Sequence, residues 1–287
     1  MARLKVKNDF IFQRIFGRHE NKEILISFLN AILELDDSQK LEDIEILDST
    51  KLEKDRIDDK LGIVDVLART LSGEQINIEI QLVNQYNMDK RTLFYWSKIY
   101  SRQLSESQPF KELKKTITVN ILDFNYIGLE KYHSVFHLWE DSEKDYLLTD
   151  VMEIHFIELT KFKKVKPDYQ KPLDRWLLFI EDSPKEVIDM VMKKEPTIEK
   201  AEKVLEYLGT NEEIIRYYEL REKQIHDEIT RITGAKEEGK IEGKIEGKIE
   251  GKIEIAKKMY SSGMDVETIS KFTEISIGEL KEILKLQ

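Results

Sequence analysis

Residues 63–82 read IVDVLARTLSGEQINIEIQL, and this stretch decides how the rest of the chain folds. Two short runs rich in β-branched residues, 63–70 and 75–82, flank the turn residues 71–73, which is the signature of a β-hairpin. The second run alternates strictly, so its apolar residues share one face of a strand and its polar residues share the other. The apolar face carries Ile76, Ile78, Ile80 and Leu82, and the polar face carries Asn77, Glu79 and Gln81.

The length of the hairpin loop decides whether Asp65 meets Glu79. A two-residue loop would set Asp65 opposite Ile80, on the wrong face. A three-residue loop, 71–73, pairs residue 65 with residue 79, and Gly73 supplies the left-handed conformation that this loop class needs at its end. Directly opposed residues have Cβ atoms about 4.5–5.5 Å apart. We therefore expect the chemistry of the chain at this pair of carboxylates.

A pair of carboxylates this close favours a bound cation. The two charges repel each other unless a cation lies between them. Oxygen ligands with open coordination positions suit Mg²⁺ or Mn²⁺. The alternative interpretation is a solvated polar sheet face with Asp65 at a strand end, and the spacing alone leaves both interpretations open.

The chain around the hairpin has a mixed α/β pattern. Residues 11–35 predict two amphipathic helices broken near Gly17, and 84–104 again has helical periodicity. Strands are predicted within 41–48, 115–124, 135–139 and 152–157. Helices interspersed with strands predict a mixed α/β domain over 1–165, followed by a proline-punctuated helical extension over 166–235.

The C-terminal region contains a true repeat. Residues 238–253, within the segment 236–253, repeat Glu-Gly-Lys-Ile four times. Each glycine inside a helix costs about 1 kcal/mol relative to alanine, so the repeat is either a flexible tether or a helix stabilised by a partner helix. Residues 254–287 have the outline of a helix-turn-helix, but they lack the basic excess that DNA docking requires, which favours a small helical tail.

Composition excludes several classes of function. The chain has 287 residues, with 46 Lys and Arg against 56 Asp and Glu, so a net charge of −10 excludes binding of nucleic acid by bulk charge. The lack of cysteine excludes disulfides, Cys-ligated zinc and thiol catalysis. The histidines lack metal-site spacing, because the run 132–139, which contains His133 and His137, alternates like a strand and would hold the two rings far apart. We expect a soluble cytoplasmic protein without membrane partners.

A basic patch follows the hairpin. Between residues 89 and 115, seven basic residues stand against three acidic ones. Four residues at helical spacing form one stripe within it: Arg91, Tyr95, Lys98 and Arg102. We interpret the stripe as phosphate contacts beside the carboxylates, with Tyr95 available for stacking. The alternative is a solvated helix face with Tyr95 half-buried.

Several stretches of the chain resemble the PD-(D/E)XK nuclease superfamily, and within it the bacterial family of recombination-promoting nucleases and transposases. The repeat and the closing helices also look like the variable tail of that family. The resemblance covers essentially the whole chain, and residues 1–165 are its most specific part. The matching stretches are 8–17, 25–33, 60–65, 77–81, 91–100 and 152–159.

The resemblance implies a restriction-endonuclease-like sheet flanked by helices, with an all-α C-terminal extension. It also implies that Asp65 and Glu79 are the metal-binding acids and that Gln81 occupies the position usually held by lysine, as in the Glu-x-Gln variant of this family. A glutamine can position water but carries no charge. Lys60 or a basic residue of the next helix could supply that charge, and Asp9 or Glu20 could add a supporting acid.

The leading hypothesis is an Mg²⁺-dependent DNA endonuclease, with Mn²⁺ as the alternative ion, linked to recombination or to a mobile element. Its catalytic residues would be Asp65, Glu79 and Gln81, and a homo-oligomer would form through the C-terminal repeat and helices. The alternative hypothesis is a catalytically degenerate nuclease fold that acts as a DNA-binding or oligomerising module. The residues expected to contact DNA are Lys60, Arg91, Tyr95, Lys98 and Arg102.

Overall fold

The computed structural model describes residues 3–47 and 65–286. Contacts between residues divide the chain into two units, Met1–Ile225 and His226–Gln287, and each is described by itself. The first unit combines a mixed β-sheet with flanking helices, which confirms the predicted α/β class. The second unit is helical.

Two amphipathic helices open the first unit, as predicted. Helix α1 (Asp9–Phe16) begins after Asn8, whose side-chain oxygen accepts hydrogen bonds from the backbone N–H groups of Phe10 and Ile11. It ends at Gly17, and α2 (Lys22–Leu33) follows. Both helices bury an apolar stripe against the sheet, because their apolar residues recur every three to four positions.

The described residues form one mixed sheet with the strand order β1-β2-β3-β4-β6-β5. Strands β3, β4 and β6 are parallel, and the other neighbours pair antiparallel. Helix α3 (Met88–Ser101) lies in the connection between the parallel strands β3 and β4. The strand bounds are β1 Ile44–Leu47, β2 Val66–Thr70, β3 Gln75–Gln81, β4 Thr116–Leu122, β5 His133–Trp139 and β6 Leu147–Glu158.

These bounds confirm the predicted strands and the predicted helix within 84–104. The charged stretch 49–60, which we expected to be a loop, lies outside the described residues, as do residues 63 and 64 at the start of the hairpin.

The hairpin has the three-residue loop that brings position 65 to position 79. Val66 pairs with Ile78, and Arg69 pairs with Gln75. The loop closes with a hydrogen bond from the Thr70 N–H to the Glu74 carbonyl, and Gly73 has a φ of +92°, a conformation that favours glycine. The predicted register is therefore confirmed.

Helices cover both faces of the hairpin strand β3. Ile76, Ile78 and Ile80 belong to the main core together with residues of α1 and α2. On the opposite face, α3 lies over β3 and β4, where the Thr92 hydroxyl donates to that of Thr118 at 3.1 Å. Glu79 is consequently 1% exposed. The alternative interpretation of a solvated polar face is therefore wrong for Glu79.

The helices that follow the sheet extend the same core. They are α4 (Leu159–Phe162), α5 (Pro172–Ile180), α6 (Lys185–Lys194) and α7 (Pro196–Leu208). Trp176 of α5 is fully buried and packs against the rings of Phe16 and Phe28. The division into segments 1–165, 166–235, 236–253 and 254–287 stays a prediction.

The second unit is built from the C-terminal part of α8 (Glu212–Ser261) with α9 (Val266–Thr273) and α10 (Ile277–Ile283). Its small core contains Ala256, Ile269 and Leu280. Asp265 caps α9, and Ser276 caps α10 in a capping box with Glu279.

The Glu-Gly-Lys-Ile repeat lies within α8 and is helical. Three of its four isoleucines are largely exposed, Ile241 by 60%, Ile245 by 55% and Ile249 by 52%, and Ile253 is partly buried. Within the described part of the chain, no helix combines the length and apolarity that a bilayer crossing requires.

Candidate active site

Glu79 lies near the end of β3 and points toward the face that α3 covers. On the neighbouring strand β4 it pairs with Asn120, which is also buried. A buried carboxylate is strongly disfavoured unless a positive charge and hydrogen-bond donors surround it. The position of Glu79 thus demands a cation nearby.

The two carboxylate oxygens of Glu79 have very different surroundings. Oε1 accepts hydrogen bonds from Nε of Arg91 at 2.8 Å, from Nη2 of the same guanidinium, and from Nε2 of Gln81 at 3.2 Å. Oε2 is equally buried and accepts no hydrogen bond from the described residues. An unsatisfied buried carboxylate oxygen is costly, so Oε2 is an atom at which binding of a cation would be favoured.

Asp65 precedes β2 and is partly exposed. Its Oδ2 accepts a hydrogen bond from the backbone N–H of Ile80 at 2.6 Å, which places the carboxylate beside the C-terminal end of β3. Burial and the neighbouring charges of Glu79 and Asp9 raise the pKa of Asp65 well above its usual value, against the opposing effects of the Ile80 N–H and Arg91. Two like charges therefore meet at this end of the hairpin.

Arg91, in the first turns of α3, is the counter-charge to Glu79. Its side chain is 12% exposed, and burial lowers the pKa of the guanidinium, but the charge and hydrogen bonds of Glu79 outweigh this and raise the pKa. The guanidinium also lies 5.2 Å from the centre of the Tyr95 ring. Arg91 is thus held from two sides.

The oxygen atoms at this site fit a hard divalent cation. Oε2 of Glu79 has no hydrogen-bond partner among the described residues, and the Asp65 carboxylate lies at the same end of the hairpin. The described residues contain no group of three or more acids or histidines arranged around a metal position. A site with two carboxylates nevertheless suits Mg²⁺, which usually keeps several waters and takes further ligands from substrate phosphate.

Two of the residues that we expected to contact DNA point into the protein. Tyr95 is 7% exposed and packs with Leu67 and Ile99, so it is not available for stacking on a base. Arg91 is engaged with Glu79. The expectation that both lie on an outer, DNA-facing stripe is corrected, because the sheet-facing side of α3 runs through Arg91, Tyr95 and Ile99.

The other residues of the stripe differ from these two. Lys98 is half-buried, with its Nζ over the Phe94 ring at 4.5 Å, and Arg102 at the end of α3 is exposed. Lys60 lies outside the described residues. Lys98 and Arg102 stay predicted DNA contacts.

The basic patch is weaker on the surface than its sequence suggests. Of the seven basic residues between 89 and 115, Arg91 pairs with the buried Glu79, and Lys115 pairs with the largely buried Glu153 at 2.5 Å. Five basic residues then remain against three exposed acids, Asp89, Glu106 and Glu112. A modest positive surface therefore remains on α3 and on the segment after it. The hydrogen bonds of Gln103 to Lys114 and Thr116 place the C-terminal part of this surface at the start of β4, away from Asn120, the partner of Glu79.

A pocket adjoins Asp65, and sequence reasoning missed most of the residues that line it. It is bounded by Val66 and Leu67 from β2 and by the turn between α1 and α2, which contributes Arg18, His19 and Glu20. Glu20, considered as a supporting acid, thus shares a pocket with Asp65, whereas Asp9 accepts hydrogen bonds from Arg221. The sequence offered no signal for this pocket, because its walls come from segments about 45 residues apart.

A second polar cluster lies on β5 and β6, away from the hairpin. His133 and His155 are joined at 2.9 Å, and the other nitrogen of His155 lies 2.6 Å from Glu153. Burial opposes ionisation of Glu153, but hydrogen bonds from His155 and Lys115 hold its pKa well below the usual value. Glu153 is therefore a stably ionised acid, in contrast to Asp65.

Comparison with known proteins finds a matching family. A family model described as PD-(D/E)XK nuclease family transposase matches residues 6–235. No curated protein and no solved structure matches the chain.

Because folding shifts the pKa values of Asp65 and Glu153 in opposite directions, neutralising each side chain should have opposite effects on the stability of the protein. Folding raises the pKa of Asp65 above its ordinary 3.8, so the folded state binds the proton more tightly than the unfolded state. The stability of the protein therefore falls as the pH rises from the ordinary pKa to the pKa of the folded state. Above the folded pKa the carboxylate destabilises the metal-free protein. The Asp65→Asn variant should therefore unfold at a higher temperature than the wild type at pH 7 in the presence of EDTA.

Glu153→Gln is the matched control, because it neutralises an acid whose pKa folding lowers and should unfold at a lower temperature. Thermal unfolding followed by circular dichroism measures both variants. An Asp65→Asn protein less stable than the wild type under these conditions would contradict the assigned electrostatics.

Proposed function

The chain belongs to the PD-(D/E)XK nuclease family transposases, and on this premise we propose that it is a metal-dependent DNA endonuclease. Asp65 and Glu79 would hold the metal, and Gln81 would complete the site. The proposal includes Mg²⁺ as the ion, with Mn²⁺ as the alternative, and a cytoplasmic location. The link to recombination or to a mobile element rests on the family description.

One observation carries the proposal. The hairpin register brings Asp65 to the end of β3 at which Glu79 lies, and Oε2 of Glu79 is buried without a hydrogen-bond partner among the described residues. Leaving a buried carboxylate oxygen without a hydrogen bond is costly. A cation bound between the two carboxylates would account for both features.

When bound, the metal would polarise a phosphoryl oxygen and lower the pKa of a coordinated water. Asp65 and Glu79 would bind it through carboxylate oxygens, and the Ile80 N–H keeps the Asp65 carboxylate oriented toward the end of β3. The amide of Gln81, which donates to Glu79 in this structure, would orient water without adding charge. Lys98 and Arg102, together with Lys60, would hold the phosphate backbone.

The C-terminal unit would govern self-association. The repeat within α8 exposes an isoleucine stripe, which a second copy of the chain could cover to form a homo-oligomer. None of the residues proposed for the chemistry lies in this unit. A tethered second copy raises the local concentration of sites on DNA without making contacts of its own.

The proposed metal site predicts the effect of two substitutions on DNA cleavage. Asp65→Asn and Glu79→Gln should each reduce Mg²⁺-dependent nicking of supercoiled plasmid by at least about a hundredfold, because loss of a metal ligand removes several kcal/mol of transition-state stabilisation. Both substitutions keep the size of the side chain. Near-ultraviolet circular dichroism checks that each variant remains folded.

Glu153→Gln, which changes a largely buried acid elsewhere in the sheet, should nick plasmid like the wild type. Nicking by Asp65→Asn or Glu79→Gln at the wild-type rate would show that the site is wrong. A folded wild type that binds DNA but nicks with neither Mg²⁺ nor Mn²⁺ would establish the alternative, a degenerate fold that acts as a binding module.

The second prediction concerns DNA binding. The double variant Lys98→Gln/Arg102→Gln should weaken binding of duplexes of any sequence and reduce the salt dependence of the binding constant by about one unit per lost phosphate contact. Fluorescence anisotropy over a series of salt concentrations measures both quantities. Lys193→Gln/Lys194→Gln on α6 removes the same charge elsewhere and should leave the salt dependence unchanged, whereas equal effects of the two pairs would contradict the assignment.

The third prediction concerns the tail. A chain ending at Gly234 should keep metal-dependent nicking at high enzyme concentration and should lose oligomer mass in light scattering. In the full chain, Ile241→Gln/Ile245→Gln should reduce the mass in the same way, whereas Lys240→Gln/Lys244→Gln should not. A folded truncated protein that is inactive at every concentration would show that the tail helps to build the site.

A further inference from the structure

The positive charge next to Glu79 in this structure is that of Arg91, and it contacts only one of the two carboxylate oxygens. Three N–H groups, two from Arg91 and one from Gln81, converge on Oε1, and none reaches Oε2. The guanidinium therefore neutralises the carboxylate from one side only. The opposite oxygen is buried and still has the capacity to bind a cation.

A metal ion and the guanidinium would be close neighbours at this carboxylate. Both oxygens of Glu79 belong to one small group, and the side chains of Glu79 and Arg91 are almost fully buried. Positive charges a few ångströms apart in a poorly solvated site repel each other strongly. A divalent cation on Glu79 would therefore weaken the ion pair with Arg91.

The negative charge at the site does not suffice for two tightly bound cations. Asp65 and Glu79 together carry two negative charges, which one divalent ion neutralises. The nearby Asp9 is already engaged, because both of its oxygens accept hydrogen bonds from Arg221. With the metal bound, Arg91 would face a site without excess negative charge.

From this arrangement we propose that Arg91 is a displaceable counter-ion, which occupies Glu79 in the metal-free protein and is exchanged for the divalent cation. The proposal rests on the proposed function, in which Asp65 and Glu79 bind the metal. It assigns Arg91 to the control of metal affinity instead of to the basic patch on the surface. Tyr95, whose ring the guanidinium already contacts, offers the displaced charge a partner within α3.

The decisive measurement is Mn²⁺ binding without DNA, by isothermal titration calorimetry on the full chain. Arg91→Gln should bind Mn²⁺ about tenfold more tightly than the wild type, because the metal no longer has to break an ion pair; coupling between two sites commonly lies in this range. Arg69→Gln is the matched control, since it removes an arginine whose partner Glu45 is exposed, and its affinity should equal that of the wild type. Arg91→Lys keeps a cation at the position and should bind Mn²⁺ more weakly than Arg91→Gln.

Direct observation of the exchange uses the wild type, so it does not depend on how well a variant folds. The Nε–H resonance of Arg91 in ¹H–¹⁵N spectra, identified by its loss in Arg91→Lys, should shift and exchange faster with water when Mg²⁺ is added. A resonance that stays unchanged while Mg²⁺ binds would overturn the proposal.

The other possible results distinguish failure of the proposed Arg91 exchange from failure of the proposed metal site. Equal or weaker Mn²⁺ binding by Arg91→Gln, with binding abolished by Glu79→Gln, would refute the exchange and leave the metal site intact. Tight binding that survives in Arg91→Gln/Glu79→Gln would place the metal elsewhere and refute both. Failure of the wild type and of Arg91→Gln to bind Mn²⁺ would also refute both.

Discussion

The burial of a single carboxylate, that of Glu79, is the constraint on which the rest of the site depends. Burial of a carboxylate to 1% exposure is strongly unfavourable without a counter-charge and hydrogen-bond donors. Arg91 and Gln81 supply both, and Arg91 reaches Glu79 only because α3 crosses the sheet directly over β3 and β4. The pairing therefore links the position of the helix to the chemistry of the strand.

The same constraint explains why the hairpin turn matters so much. A slip of one residue would turn every side chain of a strand to the opposite face and would move Asp65 away from Glu79. The left-handed conformation of Gly73 closes the three-residue loop and holds this register. Beyond the hairpin, the parallel pairing of β3 with β4 places buried polar side chains next to Glu79. The face of the sheet that α3 covers is therefore buried although its side chains are polar.

The basic residues of α3 and of the segment after it have two different locations, which the composition does not reveal. Some form ion pairs with acids in the interior, and others lie on the surface. Arg91 and Lys115 satisfy buried or largely buried acids, whereas Arg102 stays on the outside. A protein with a net charge of −10 can thus hold a neutralised interior and still present a local positive surface on α3 and the segment after it.

The sequence by itself determined the local structure: the helices broken at Gly17, the strands, the α/β class, and the hairpin register that brings Asp65 to Glu79. Alternation, periodicity and turn chemistry act between near neighbours in the chain, which is why these features could be predicted from the residues alone. Only the tertiary structure decided that Glu79 is buried, that Arg91 and Tyr95 face inward, and that Asp65 opens on a pocket formed with the α1–α2 turn. A helical stripe of basic and aromatic residues has the same sequence pattern whether it faces solvent or a sheet. In this protein the Arg91 side of α3 faces the sheet, where Arg91 pairs with the buried carboxylate of Glu79 on β3.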